Sequence, residues 1–196
     1  MVFGIGSGLL FAHFPFLKVM NVPITTFRTV PGSLFGHVCR RLDVGFRRQK
    51  FGDPRKGMQA LDEMLTNGIP VGIQTNIFWL SYFPRQFRFQ FNGHNLIVRR
   101  KLDDMYEVSD PVLDSVTTCS VDDMQRARFA KGPFSPRGLM YFPTSFPAEP
   151  NIKSAVYRGM RMTLFMMTKS PTPYVGSRAV SLLSRRVNKW GRGDLA

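Results

Sequence analysis

Two residues whose side chains can act together in acyl chemistry stand sixteen positions apart, His94 and Asp110. His94 leads into an apolar run, Asn95 to Val98, and a second apolar run ends just before Asp110. The polar turn between them, Arg99 to Met105, predicts two adjacent antiparallel strands. Such a hairpin brings the two side chains together, and a carboxylate beside an imidazole fixes its tautomer and stabilises its cation. The pair is therefore half of a catalytic triad, and the nucleophile must come from elsewhere.

A single histidine in an apolar strand is more often a structural hydrogen-bonding residue than a catalyst. Three features favour catalysis here. Gly93 leaves room for another chain or a substrate to approach, Asp110 stands where the return strand ends, and Pro111 keeps the backbone extended. We also expect four residues to border a pocket beside the histidine: Gln74, Asn76, Asn92 and Gly93.

The chain has two cysteines, Cys39 and Cys119, which lie far apart and form no CxxC pair. This spacing indicates neither a disulfide framework nor a zinc site, and we expect no metal and no cofactor. Cys39 lies on a short basic helix, where Arg40 and Arg41 are expected to lower the pKa of its thiol. It is the weaker, substitute candidate for the nucleophile. Cys119 follows the Asp110 strand in a different loop, and we expect it to be structural.

The elements that must position these residues have recognisable patterns. Phe87, Phe89 and Phe91 alternate with polar residues, which is the period of a half-buried strand leading into His94. A helix, a buried strand, this strand and the hairpin, in that order, predict an α+β fold with a mostly antiparallel sheet. The predicted elements are a helix from Ser33 to Leu42, a helix over 57–67, a strand over 70–80, a strand over 87–91, the His94 hairpin, a helix opened by a Ser120 capping box, and a strand over 138–142.

The C-terminal part has a different composition. Positions 152–169 read as a basic, Met-rich helix, whose apolar row includes Met160 and Leu164, and a second helix begins at Ser177. The narrow apolar rows predict that these helices pack in a core, and a membrane-surface helix is the alternative. We therefore predict two domains, 1–142 with the catalytic pair and 143–196 as the start of a basic helical domain.

Composition and charge limit the class of protein. A content of 43% hydrophobic residues excludes a disordered chain, and a net charge of +14 indicates an acidic partner. This charge makes a basic binding module for nucleic acid or anionic lipid the non-enzymatic alternative. The aromatic residues stand in apolar runs and not among the Lys and Arg, which argues against base stacking and so against that alternative. The apolar N-terminal segment is interrupted by Pro15 and Lys18, so it predicts neither a signal peptide nor a membrane-spanning helix. Because the two cysteines indicate no disulfide, we expect a cytoplasmic location.

Four short motifs are informative together: Met1 to Gly8, Gly68 to Val71, Phe91 to Asn95 and Ser109 to Pro111. They resemble the N-terminal domain of the butirosin biosynthesis protein H family, and the Ser120 to Arg128 segment is similar to it as well. The resemblance covers about residues 1 to 142. It implies a papain-like fold, similar to that of the bacteriocin-processing cysteine peptidases.

The named member of that family is an acyltransferase that moves an aminoacyl group from an acyl-carrier-protein thioester to an aminoglycoside amine. The resemblance therefore implies acyl transfer through a cysteine acyl-enzyme, with His94 and Asp110 catalytic, an acidic carrier protein as partner and a small amine as acceptor. In the family the nucleophilic cysteine precedes the segment that begins at Val2, so we expect the 196-residue chain to be an inactive fragment. Hydrolysis, as in a cysteine peptidase or amidase, is the alternative on the same site, because both reactions pass through an acyl-enzyme.

Overall fold

The computed structural model of the chain describes residues 2–19, 21–29 and 31–190. Contacts divide it into two units, which we call the terminal unit (Met1–Gly45 with Ser145–Ala196) and the central unit (Phe46–Thr144). Helices are combined with antiparallel strands, so the predicted α+β class is confirmed. The domain boundary expected at 142–143 stays a prediction.

The described ranges contain six α-helices and eight strands. The helices are α1 (Val2–Ile5), α2 (Pro31–Leu42), α3 (Pro54–Thr66), α4 (Val121–Arg128), α5 (Ile152–Lys169) and α6 (Ser177–Trp190). The strands are β1 (Leu9–Val19), β2 (Val22–Arg28), β3 (Gly45–Gln49), β4 (Val71–Thr75), β5 (His94–Leu102), β6 (Met105–Ser109), β7 (Thr117–Ser120) and β8 (Met140–Ser145). Two short 3-10 helices, Ile77–Trp79 and Arg85–Phe87, lie between β4 and β5.

A six-stranded sheet in the order β3-β8-β4-β5-β6-β7 dominates the central unit. Strands β4 to β7 pair antiparallel with their neighbours, and β8 pairs antiparallel with β4. Helix α3 begins three residues before the expected position, because Asp53 accepts a hydrogen bond from the Arg55 N–H and Pro54 suits the first turn. Its apolar face, which includes Leu61 and Leu65, is buried in the core. The sheet and α3 thus form the frame on which the His94 hairpin rests.

Arg128, the last residue of α4, is fully buried in the central unit. Its Nη1 donates to the carbonyl oxygen of Gly57 at 2.9 Å, and its Nη2 donates to that of Gly138 at 3.2 Å. Burial lowers the pKa of this guanidinium to about 10. One cation therefore links α3, α4 and the segment before β8.

The strand predicted over 87–91 is wrong. Phe87 ends a 3-10 helix, whose turns are closed by the Phe87 N–H to the Pro84 carbonyl and the Arg88 N–H to the Arg85 carbonyl. Phe87 and Phe89 are 58% and 59% exposed, so the alternation does not mark a buried face. The predicted strand over 70–80 is also shorter, since β4 ends at Thr75.

In the terminal unit, α5 packs against α1 and α2, and α6 packs against β1. The close contact of α5 with α1 depends on Gly159, where a Cβ atom would overlap the carbonyl oxygen of Gly4. Ala155 and Gly159 are the buried residues of α5, whereas Met160 and Leu164 are 61% and 63% exposed. The expectation that the apolar row of α5 packs in a core is therefore wrong for Met160 and Leu164. The small residues Ala155 and Gly159 make the close contact instead. No helix in the described ranges is both long and apolar enough to span a membrane.

Candidate active site

The hairpin of β5 and β6 places His94 and Asp110 in the central unit. Pairing of β4 with β5 sets Thr75 opposite His94, and the Thr75 hydroxyl donates to the His94 carbonyl at 3.2 Å. Pairing of β5 with β6 sets Ile97 opposite Ser109, so the residue after β6 returns beside the start of β5. The predicted antiparallel hairpin is confirmed, and its turn lies at Asp103 and Asp104.

The two side chains meet directly. His94 Nε2 lies 2.6 Å from Asp110 Oδ2, with 11% of the histidine side chain exposed and 0% of the aspartate side chain. Their predicted proximity is confirmed, and their catalytic role stays a prediction. Among the described residues, none hydrogen-bonds to His94 Nδ1, so the second ring nitrogen is free to accept or donate a proton.

Asp110 is held ionised by the groups around it. Burial alone would raise its pKa, but hydrogen bonds from His94, from the Tyr82 hydroxyl at 2.7 Å and from the Val112 N–H at 3.1 Å outweigh burial, and the pKa lies below its ordinary value. An ionised carboxylate only accepts hydrogen bonds, so Nε2 must carry the hydrogen. The neutral imidazole then has its lone pair on Nδ1, which is the atom that the predicted role as a base requires.

Tyr82 and Phe83 belong to this site, and the sequence analysis missed both. The Phe83 ring meets the His94 ring edge to face at 5.8 Å between centroids, and the Tyr82 ring lies 4.8 Å from that of Phe83. Burial first, and the bond to Asp110 second, raise the pKa of Tyr82, so its hydroxyl remains a donor. Two adjacent aromatic residues before Pro84 were the available signal in the sequence. The local pattern did not indicate that either of them contacts the His94–Asp110 pair.

Three of the residues expected to border a pocket form a network of amide hydrogen bonds, in which Asn76 and Asn92 are buried and Gln74 is half-buried. Asn76 Nδ2 donates to Asn92 Oδ1 at 2.8 Å, and Asn92 Nδ2 donates to the carbonyls of Pro133 at 2.8 Å and Lys131 at 3.2 Å. Gln74 Nε2 donates to the Asn92 carbonyl at 2.6 Å. These amides fix the loop that leads into His94, and their contact with a substrate stays a prediction.

Gly93 is also explained by its own neighbourhood. A Cβ atom there would overlap the ring of Phe91 two residues earlier. The glycine thus lets this exposed phenylalanine fold back over the chain just before His94. The Phe91 ring thus lies beside Gly93, and the approach of a substrate at this position stays a prediction.

Neither cysteine has the environment of a reactive thiol. Burial raises the pKa of Cys39, so the expected lowering by Arg40 and Arg41 is wrong; Arg41 instead donates to the carbonyl oxygen of Ile5. Cys119 lies in β7, so its expected position in a loop is wrong. It is fully buried, and burial raises its pKa to about 12. Low pKa and access favour a nucleophilic thiol, and both cysteines lack them. Within the described ranges, no three His, Cys, Asp or Glu side chains come together as metal ligands.

Comparison with known proteins gives one family model that matches more than half of the chain. The model of the family described as "Butirosin biosynthesis protein H, N-terminal" matches residues 1–111, and that of a domain of unknown function matches residues 122–195. Among solved structures, a proposed C39-like peptidase from Bacillus anthracis is similar at 14% identity and a TM-score of 0.43. That similarity covers 63% of this chain and 64% of the other, so the chain spans less than two thirds of its length. No curated protein matches the chain.

Proposed function

We propose that this chain, which belongs to the family of the butirosin biosynthesis protein H N-terminal domain, carries the base of a papain-like acyltransferase. The reaction would move an acyl group from a carrier-protein thioester to an amine through a cysteine acyl-enzyme. The observation that carries the proposal is the His94–Asp110 pair at 2.6 Å, with His94 Nδ1 free of protein partners among the described residues.

In the first half of the reaction, His94 Nδ1 takes the proton of a cysteine thiol. The thiolate attacks the thioester carbonyl, a cysteine–acyl bond forms, and the carrier's sulfur leaves and takes up a proton. Asp110 orients the ring and stabilises the imidazolium that forms between these steps. Such base catalysis contributes about 10²–10⁴ in rate.

In the second half, an amine attacks the acyl-enzyme. His94 takes the proton that the amine nitrogen loses, an amide bond forms, and the cysteine sulfur regains a proton. The net charge of +14 supports an acidic carrier protein as the acyl donor. The two unpaired cysteines are consistent with a cytoplasmic location. We infer an amine as the acceptor from the resemblance to the butirosin biosynthesis protein H family.

The test compares two proteins, the 196-residue chain and a version extended before Met1 by the cysteine-bearing segment of the family pattern. Each is given a short-chain acyl-pantetheine thioester and a primary amine, and the amide and free acid are quantified by mass spectrometry. We expect amide from the extended protein only. His94→Gln in that protein should lower the rate about 100-fold or more.

His37→Gln is the matched control, because His37 lies in the terminal unit and bonds the Gly6 carbonyl. It should change the rate less than about twofold. An extended protein without thioester turnover, or with turnover that survives His94→Gln, contradicts the proposal. Free acid as the sole product would overturn transfer in favour of hydrolysis.

A further inference from the structure

A cavity of about 410 Å³ in the central unit is lined by three arginines and a tryptophan. The arginines are Arg85, Arg88 and Arg126, and the aromatic residue is Trp79. A water molecule takes up about 30 Å³ in the liquid. The cavity is therefore larger than a simple inorganic anion needs, and it has room for part of an organic chain.

The positive charge of this cavity is only partly balanced by its lining, in which one carboxylate accompanies three arginines. Asp123 is the one carboxylate in its lining, and none of the three arginines forms an ion pair with a described carboxylate. By contrast, Arg99 and Arg100 on β5 both pair with Glu107. Arginine forks match the oxygens of phosphate, so three arginines without an ion pair to a described carboxylate indicate a phosphate-bearing ligand.

Two of the three guanidinium groups are held in place. Arg88 Nε donates to the Phe83 carbonyl at 2.7 Å, and its Nη2 donates to the Ser81 carbonyl at 3.0 Å. Arg126 lies over the Trp79 ring at 5.4 Å from the centroid. Side chains fixed before the ligand arrives lose less conformational entropy on binding, so this lining is prepared for an anion.

The segment of residues 81–88 contacts both the cavity and the candidate active site. Phe83, whose carbonyl accepts the Arg88 bond, packs on the His94 ring, and the neighbouring Tyr82 bonds Asp110. Ser81 and Arg88, which flank these two residues, line the cavity. A ligand in the cavity therefore contacts the same segment that supports the catalytic pair.

We propose that this cavity binds the phosphate group of a pantetheine-bearing acyl donor, through Arg85, Arg88 and Arg126. The choice of donor rests on the proposed function, in which the acyl group arrives as a carrier-protein thioester. The phosphate diester is the anionic part of such a donor, and Trp79 with the arginine stems offers apolar surface to the pantetheine chain.

The test measures binding to the intact 196-residue protein by calorimetry at physiological salt, with 4′-phosphopantetheine, pantetheine and inorganic phosphate as probes. We expect phosphopantetheine to bind at least about tenfold more tightly than either fragment, since one charge-assisted contact is enough for that factor. Arg85→Gln with Arg126→Gln should weaken it about 100-fold, or tenfold for each arginine. Both arginines are exposed at the surface, and circular dichroism checks that the fold is kept.

The matched control is Arg55→Gln with Lys56→Gln, an exposed pair outside the cavity that removes the same charge. It should change the dissociation constant by less than about twofold, because salt screens distant charges. Three results would overturn the proposal: equal binding of pantetheine, equal binding of inorganic phosphate, or equal weakening by the control. The calorimetric measurement requires no acyl transfer, so its result remains interpretable even if the protein does not catalyse the proposed reaction.

Discussion

Replacing Tyr82 by phenylalanine measures how strongly one hydroxyl supports the buried carboxylate. The Tyr82 hydroxyl donates to Asp110 Oδ2 at 2.7 Å, and the aspartate side chain is 0% exposed, so water cannot replace the lost bond without opening the site. A hydrogen bond to a charged group contributes about 1.5–3 kcal/mol. Tyr82→Phe is therefore expected to lower the free energy of unfolding by about 2 kcal/mol at pH 7.

The same bond controls ionisation. Because the lost bond stabilises the charged form, the pKa of Asp110 should rise in Tyr82→Phe towards its ordinary value. A carboxylate with a lowered pKa stabilises the fold above its unfolded value, near 3.9, and this stabilisation is lost as pH falls through the folded value. The difference between the native protein and Tyr82→Phe should be full at pH 7 and shrink below about pH 4.

Urea unfolding at pH 7 and pH 3 measures both effects, and carbon NMR of the Asp110 carboxyl follows its titration. Tyr106→Phe is the matched control, because its hydroxyl donates to Asp62, which is 32% exposed and also bonds Lys101. Solvent reaches that carboxylate, so the control should lose less than about 1 kcal/mol. A Tyr82→Phe loss below about 0.5 kcal/mol, or an equal loss at both pH values, would refute the reasoning.

Two further predictions concern packing. Gly159→Ala should lower the free energy of unfolding by about 1–3 kcal/mol, because the added methyl overlaps the Gly4 carbonyl, whereas Gly36→Ala, with no atom within 4 Å, should raise it by about 0.5–1 kcal/mol. Denaturant unfolding of the two variants decides, and changes of the same sign would contradict the packing of α5 on α1. Arg128→Met should lower the free energy of unfolding by about 3 kcal/mol, because the Gly57 and Gly138 carbonyls lose their buried donors, and an unchanged denaturation midpoint would contradict that role.

Local signals predicted several of the observed elements, including the hairpin that carries the candidate site. The Ser120 capping box is confirmed, since its hydroxyl oxygen accepts from the Asp123 N–H at 3.1 Å. The hairpin between His94 and Asp110 followed from two apolar runs and a polar turn, and the helix expected over 152–169 has the observed bounds. Each of these depends on residues a few positions apart, which a sequence pattern records directly.

Distant contacts could not be predicted in this way. Arg128 bonds Gly57, which is 71 positions away, and Tyr82 bonds Asp110 across 28 positions. The alternation of Phe87 and Phe89 failed for the opposite reason, because turn hydrogen bonds of the Arg85–Phe87 helix satisfy the backbone without a partner strand. A period of two describes the side chains, but a strand also needs a neighbour to pair with.

The amide network before His94 also affects the chemical stability of the Asn92–Gly93 sequence. Asn92 followed by Gly93 is the dipeptide most prone to spontaneous deamidation, in which the glycine nitrogen attacks the side-chain amide carbon. Here the Asn92 amide is buried and bonded on both its nitrogen and its oxygen, so the folded chain restrains it from that attack. Once formed, an aspartate would direct carboxylate oxygen at the carbonyls of Lys131 and Pro133, replacing two attractions by repulsions. Deamidation that occurs while the chain is unfolded would therefore alter the loop that leads into His94.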